Sequence, residues 1–165
     1  MTGRLIGIAR ATELMAPMEV LGQTSISFEA GLDGDARGRS EGRQVTVLFR
    51  EGWEDACRDA GADLPWAVRR ANLYVEGLER PRQIGARLCI GEVMLEVADE
   101  TKPCALMEAA HAGLRAAMKP EWRGGVCCTV VSGGEIGLGD AVTLDPTPPA
   151  EAGPSEASPP GPAGA

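Results

Sequence analysis

The residues of this sequence best suited to nucleophilic or soft-metal chemistry are five cysteines, and a single histidine accompanies them. Cys104 differs from the other four in its local context. It follows Lys102 and Pro103, and a pattern of helical spacing runs on from it through Leu106, Ala110, Leu114 and Met118. Proline suits the first position of a helix because its missing N–H is not needed there. With Pro103 in that place and Thr101 or Lys102 at the cap, Cys104 lies in the first turn. Unpaired backbone N–H groups there favour a thiolate. Lys102 adds positive charge, while Asp99 and Glu100 oppose it. The competing reading is a small buried structural cysteine.

The other thiols carry weaker signals. Cys127 and Cys128 are neighbours in a strand-like run, so they point to opposite faces, one to the core and the other to a cleft or to solvent. Cys57 and Cys89 read as core filler. His111 invites a dyad with Cys104, but seven helical residues rise about 10 Å, which is out of hydrogen-bond reach. No Cys-x-x-Cys pair occurs, which argues against structural zinc. The lack of a membrane-spanning segment and of an apolar leader in Met1–Arg10 points to a cytoplasmic protein with reduced thiols.

Polar groups able to hold an anion lie in three connecting segments. Arg123 and Gly124 precede a strand, where an arginine can clamp an oxyanion and glycine admits close backbone approach. Arg69 and Asn72 sit in another connection, either as ligand contacts or as surface residues. Lys102 adjoins Cys104. We expect Arg123, Arg69, Asn72 and Lys102 to converge on a pocket that exposes Cys104. The chain has a net charge of -8, which disfavours general nucleic-acid binding and requires a local positive site for any anionic ligand. Only Lys102 and Lys119 of the 16 basic residues are lysines. Coding bias accounts for so many arginines as simply as phosphate or carboxylate recognition does. Gly133–Gly139 leads into a strand and not a helix, so it fails the context of a dinucleotide-binding loop.

The elements that must position these residues are mostly strands. Arg4–Arg10, Thr24–Ala30, Arg43–Arg50, Asn72–Val75, Arg87–Ala98 broken at Gly91, Val126–Val131 and Ala141–Leu144 all read as β. Ile26 and Phe28 share one face, and Val45, Val47 and Phe49 another. Glu51–Ala60 changes to helical period and stops at Gly61. Trp66–Ala71 is a short helical turn, and Cys104–Met118 a second helix. Many short strands with two or three inserted helices predict a mainly β, barrel-like domain over residues 1–145. Residues 146–165 are rich in Pro, Ala and Gly and carry no large apolar side chain. They predict a disordered tail. No segment is apolar enough to span a membrane.

In order along the chain, several of these pieces resemble the MOSC family, named for the C-terminal domain of molybdenum cofactor sulfurases. They are Gly31-Leu32-Asp33-Gly34-Asp35, Arg69-Ala71-Asn72-Leu73 with its arginine within a basic pair, and Gly85-Ala86-Arg87-Leu88 running into Ile90-Gly91. Lys102-Pro103-Cys104, Arg123-Gly124-Gly125-Val126, and Gly134-Glu135-Ile136 with Gly139-Asp140 complete the set. The resemblance spans residues 3–145 and implies a barrel of the pyruvate kinase β-barrel type with Cys104 reactive.

Relatives of this kind are viewed as sulfur carriers, as molybdenum cofactor binders, or as parts of enzymes that reduce N-hydroxylated substrates. Carried onto this chain, Cys104 is a persulfide carrier or, if the molybdenum cofactor (molybdopterin) binds, a metal ligand. Lys102, Arg69, Asn72, Arg123 and Gly124 then hold the cofactor. Many members have a histidine where this chain has Ala36 or Arg37. No pyridoxal-phosphate domain is attached, so that cofactor is not expected, and sulfur has to come from a partner such as a cysteine desulfurase. A molybdenum cofactor enzyme is the other partner expected. A non-catalytic reading makes the chain an interaction module whose proline-rich tail engages partners.

Overall fold

The structure is a computed structural model and describes residues 1–145. The tail expected to be disordered, 146–165, lies outside the described residues. Seven strands close a mixed barrel. They are β1 (Thr2–Arg10), β5 (Val45–Phe49), β6 (Leu73–Glu76), β7 (Arg87–Ile90), β8 (Val93–Glu100), β9 (Val126–Ser132) and β11 (Ala141–Leu144). Their order is β11-β7-β8-β9-β5-β6-β1, and β1 returns to β11 through Gly3↔Val142. Only β5 and β6 pair in parallel, because α1 (Arg50–Ala60) lies on the crossover between them. The expected β class holds.

Alternation explains the barrel interior. Val45, Val47 and Phe49 on β5 point inward to meet Leu73, Val75, Leu95, Val97 and Cys128. Leu48, on the opposite face, joins a second apolar layer with Trp53, Cys57, Tyr74, Met107, Leu114 and Met118. That layer seats the helices on the outside of the barrel, and so every residue of β5 is buried. Helix α1 turns Trp53, Ala56 and Cys57 to the same layer. It ends as expected at Gly61, where φ is 70° and the N–H of Ala62 bonds the carbonyl of Cys57.

Several expectations need correction. Thr24–Ala30 is shorter as a strand: β3 is Gln23–Ser27, and Phe28 lies 64% exposed beyond its end while Ile26 is buried. The Ser27 hydroxyl accepts the N–H of Ala30, and this local bond turns the chain before Phe28 reaches the core. The glycine-rich stretch after β9 carries a strand that the sequence does not mark. Its Gly134–Gly137 forms β10, which pairs with β3. With β4 (Gly31–Leu32) these make a small second sheet, and β2 (Glu19–Leu21) pairs antiparallel beside the end of β1.

The helix expected over Cys104–Met118 is two short pieces, α2 (Ala105–Ala110) and α3 (Leu114–Ala117). His111 is extended and Gly113 is left-handed at φ 88°, which breaks the ladder. Cys89 is half-buried on the outward side of β7, not in the core. Trp66–Arg69 forms the expected short turn, a 3-10 turn. No helix of the described residues is long and apolar enough to cross a membrane.

Asn72 is a structural knot. Its side-chain oxygen accepts the Thr46 N–H at 3.0 Å, and its amide nitrogen donates to the Ala9 carbonyl at 3.1 Å. The residue is only 5% exposed. Asn72→Ala strands two buried backbone groups, each costing about 1–3 kcal/mol. We therefore expect its urea midpoint to fall with an unchanged m-value, by an amount equal to about 2–6 kcal/mol.

Candidate functional site

Cys104 sits one step outside the position read from the sequence. It is the cap residue of α2, with extended backbone (φ -122°), and Pro103 precedes the helix altogether. The proline that was expected to open the helix instead packs, buried, beneath the segment. Cys104 is held by its backbone: its carbonyl accepts the Met107 N–H, and Met107 anchors α2 in the outer apolar layer. The thiol stays outside, and Cys104 is the one exposed cysteine of the chain.

Three residues upstream of Cys104, Thr101 fixes the segment to the barrel. Its N–H donates to the Gly125 carbonyl, and its hydroxyl lies 3.2 Å from Cys127 Sγ. Cys127 and Cys128 do point opposite ways, but both are buried, Cys127 beneath Thr101 and Cys128 inside the barrel. Burial pushes the Cys128 thiol up, as it does those of Cys57 and Cys89.

Arg69 is 7% exposed and spans two of these elements. Nε donates to the Gly124 carbonyl at 3.1 Å and Nη2 to the Thr101 carbonyl at 2.9 Å. Burial lowers its pKa to about 10, against the pull of the Cys104 thiol, while the Arg43 guanidinium pushes it further down. Gly124 must be glycine, since a Cβ would sit 2.3 Å from the Thr101 carbonyl oxygen.

These parts surround a cavity of about 80 Å³. Arg37, Arg43, Arg69 and Arg70 line it together with Cys104, Thr101 and Gly124, while Met15 and Leu106 stand at its mouth. No carboxylate lines it. A smaller hollow of about 30 Å³ shares Arg37, Arg43 and Arg70 and adds Asn72, Asp35 and Glu13. The Arg43 Nε is buried without a hydrogen-bond partner. Neither Arg37 nor Arg43 is in an ion pair among the described residues. Arg70 donates to the Ala16 carbonyl at 2.6 Å, which holds the loop bearing Met15 against the cavity.

Backbone strain concentrates here. The non-glycine residues with positive φ are Met15, Arg70, Glu121 and Trp122. The first two line the cavity, and the other two form the turn that delivers Gly124 to it. Such conformations cost about 1–3 kcal/mol each and collect where function over-determines the backbone.

The expected convergence is thus partly met. Arg69, Gly124 and Cys104 share the cavity, and Asn72 lines the adjoining hollow with its amide already committed to the fold. Arg123 does not line either. It bonds Asp59 at 2.8 Å and the Ala117 carbonyl at 2.9 Å, because the α1 carboxylate captures it on the helical side. Lys102 is exposed and lies outside the lining, since the buried Pro103 turns the chain between it and Cys104. His111 is likewise absent and bonds the carbonyl of Ala112.

Arg37, Arg43 and Arg70 are the arginines that reading the sequence left out. Arg70 was within view as the second member of the Arg69-Arg70 pair. Arg37 was in view only as one of two positions where many family members have a histidine, and Arg43 carries no local signal beyond preceding β5.

Comparison with solved structures finds the same fold at low identity. The YUAD protein from Bacillus subtilis superposes with a TM-score of 0.72 at 18% identity, over 87% of this chain and 96% of that one. YiiM from Escherichia coli gives 0.64 at 17% identity, over 87% and 70%. YiiM from Geobacillus stearothermophilus gives 0.62 at 13%, over 87% and 73%. A comparison with curated proteins finds no match. The family model of the MOSC domain matches residues 34–143, which include the arginines of the cavity, Gly124 and Cys104. With its closed mixed barrel and this match over most of its length, the chain belongs to the MOSC domain family.

Proposed function

We propose that this protein carries sulfur on Cys104, as a persulfide taken from a donor and passed to an acceptor. The observation that supports this most is the exposed Cys104 thiol on a cavity lined by four arginines and no carboxylate. A thiolate is the nucleophile in sulfur transfer, and the persulfide it forms is also an anion. Arg69, fixed by two carbonyls, supplies a positive charge beside both without needing to move. The donor in this reading is a separate molecule, either a partner such as a cysteine desulfurase or a small sulfur compound, in a cytoplasm where thiols stay reduced.

The molybdenum cofactor is the second reading, and the donor set favours it. A thiol is a soft ligand of the kind molybdenum accepts, and arginines suit a phosphate. When bound, the cofactor would supply metal-centred redox chemistry. Cys104 would be its ligand, and Arg37, Arg43 and Arg70 the groups for its phosphate. The cavity of about 80 Å³ holds a phosphate-sized group, whereas whole cofactors occupy pockets of about 300–1,000 Å³. The sulfur reading fits the enclosed space without rearrangement.

Mass spectrometry of protein purified without reductant tests the two. A persulfide adds about 32 Da to the peptide bearing Cys104 and disappears on reduction. Stoichiometric molybdenum with an unmodified Cys104 would overturn the sulfur reading in favour of the cofactor.

A further inference from the structure

We infer that Cys104 takes its sulfur from a small sulfur-bearing oxyanion of the thiosulfate class, held by its oxygens on Arg37, Arg43 and Arg70. The inference rests on the sulfur-carrying reading above and names the donor. Three observations carry it. Arg37 and Arg43 have no carboxylate partner among the described residues, and the buried Arg43 Nε has no partner of any kind. The Arg37 and Arg43 side chains both line the cavity, and an oxyanion is the ligand that matches guanidinium groups left without a carboxylate.

The second observation concerns Arg69. Its Nε and Nη2 are committed to carbonyls, and no bond of its Nη1 to a described residue is present, although the side chain lines the cavity. The third is size. The cavity of about 80 Å³ is several times smaller than the roughly 300–1,000 Å³ pockets of drug-sized ligands. That is the room a tetrahedral oxyanion with one sulfur arm needs, and Cys104 is the one exposed thiol among the described residues.

The chemistry balances without a further reagent. The Cys104 thiolate attacks the outer sulfur of thiosulfate, and a new S–S bond forms between Sγ and that sulfur. The bond from the outer sulfur to the sulfonate sulfur breaks, and its electron pair leaves with sulfite. Cys104 becomes a persulfide anion, so a monoanion and a dianion give a monoanion and a dianion. The arginines hold the sulfonate oxygens while negative charge builds on them.

The test uses the reduced full chain under anaerobic conditions with two sulfur sources, sodium thiosulfate and sodium tetrasulfide, which has no oxygen. The expected result is a persulfide on Cys104 from thiosulfate, with one sulfite released per protein and inhibition by added sulfate. Arg37→Gln and Arg43→Gln should each raise the half-saturating thiosulfate concentration about tenfold, the worth of one charge-assisted contact. Arg37 is exposed, so at least that variant should melt as the parent does.

Loading by tetrasulfide but not by thiosulfate overturns the donor class and leaves the carrier reading standing. Loading by neither overturns both. Thiosulfate loading that is unchanged in both arginine variants overturns the proposed oxyanion site.

Discussion

Cys104→Ser is expected to remove the single fast-alkylating thiol of this protein. The parent should take up one equivalent of iodoacetamide rapidly at neutral pH and the remaining four slowly. The reason is geometric first. Cys104 is exposed, Cys57, Cys127 and Cys128 are buried, and Cys89 is half-buried. The second reason is ionisation. Burial raises the thiols of Cys57, Cys89 and Cys128, which leaves them less thiolate at neutral pH than a free cysteine has. Buried thiols react only when the structure opens locally, and an opening that costs about 3 kcal/mol slows them about a hundredfold. Peptide mapping after a short pulse reads the site directly. Ser variants at the other four positions should keep the fast phase. A fast phase that survives Cys104→Ser would place the reactive thiol elsewhere and remove the basis for sulfur chemistry at this cavity.

Gly38→Ala should cost this protein a large part of its stability. A Cβ at Gly38 would lie 1.6 Å from the carbonyl oxygen of Ala30, less than half a normal contact distance, and its obstacle is backbone. The loop cannot yield easily. The Gln44 side-chain amide donates to the carbonyls of both Phe28 and Gly38 and accepts the N–H of Val130, so it sews the loop to β9. Asp35 accepts the N–H groups of Ala11 and Arg37 on the other side.

Moving the loop therefore breaks buried bonds and also displaces Arg37 from the cavity mouth. We expect a loss of about 3–5 kcal/mol and a drop in Tm of about 10 °C or more. Gly22→Ala is the matched control. A Cβ there meets nothing within 4 Å, and its change should stay within about 0.5 kcal/mol. Equal melting of the two variants would contradict the close packing of Gly38 on Ala30.

What the sequence determined by itself was the set of elements whose signal is local. Alternation at Val45, Val47 and Phe49 marks β5 with its inward face, and the spacing of Trp53, Ala56 and Cys57 before Gly61 marks α1 to within one residue. Cys104 was also legible, because Pro103 and the helical stripe after it are written side by side. The α2–α3 break was not, since Leu114 and Met118 keep their stripe across it and the left-handed Gly113 shows only in the backbone.

Tertiary structure alone decided which basic groups face the thiol. Arg37, Arg43, Arg69 and Arg70 come from two loops far apart in the chain, and they meet because β5 and β6 run side by side in parallel. Arg123 has the same chemistry and the more suggestive flanking glycines, yet Asp59 on α1 takes it away. A long cationic side chain reaches many places from one backbone position. Its destination is set by whichever acceptor the fold brings near, and that acceptor is a property of packing between distant segments.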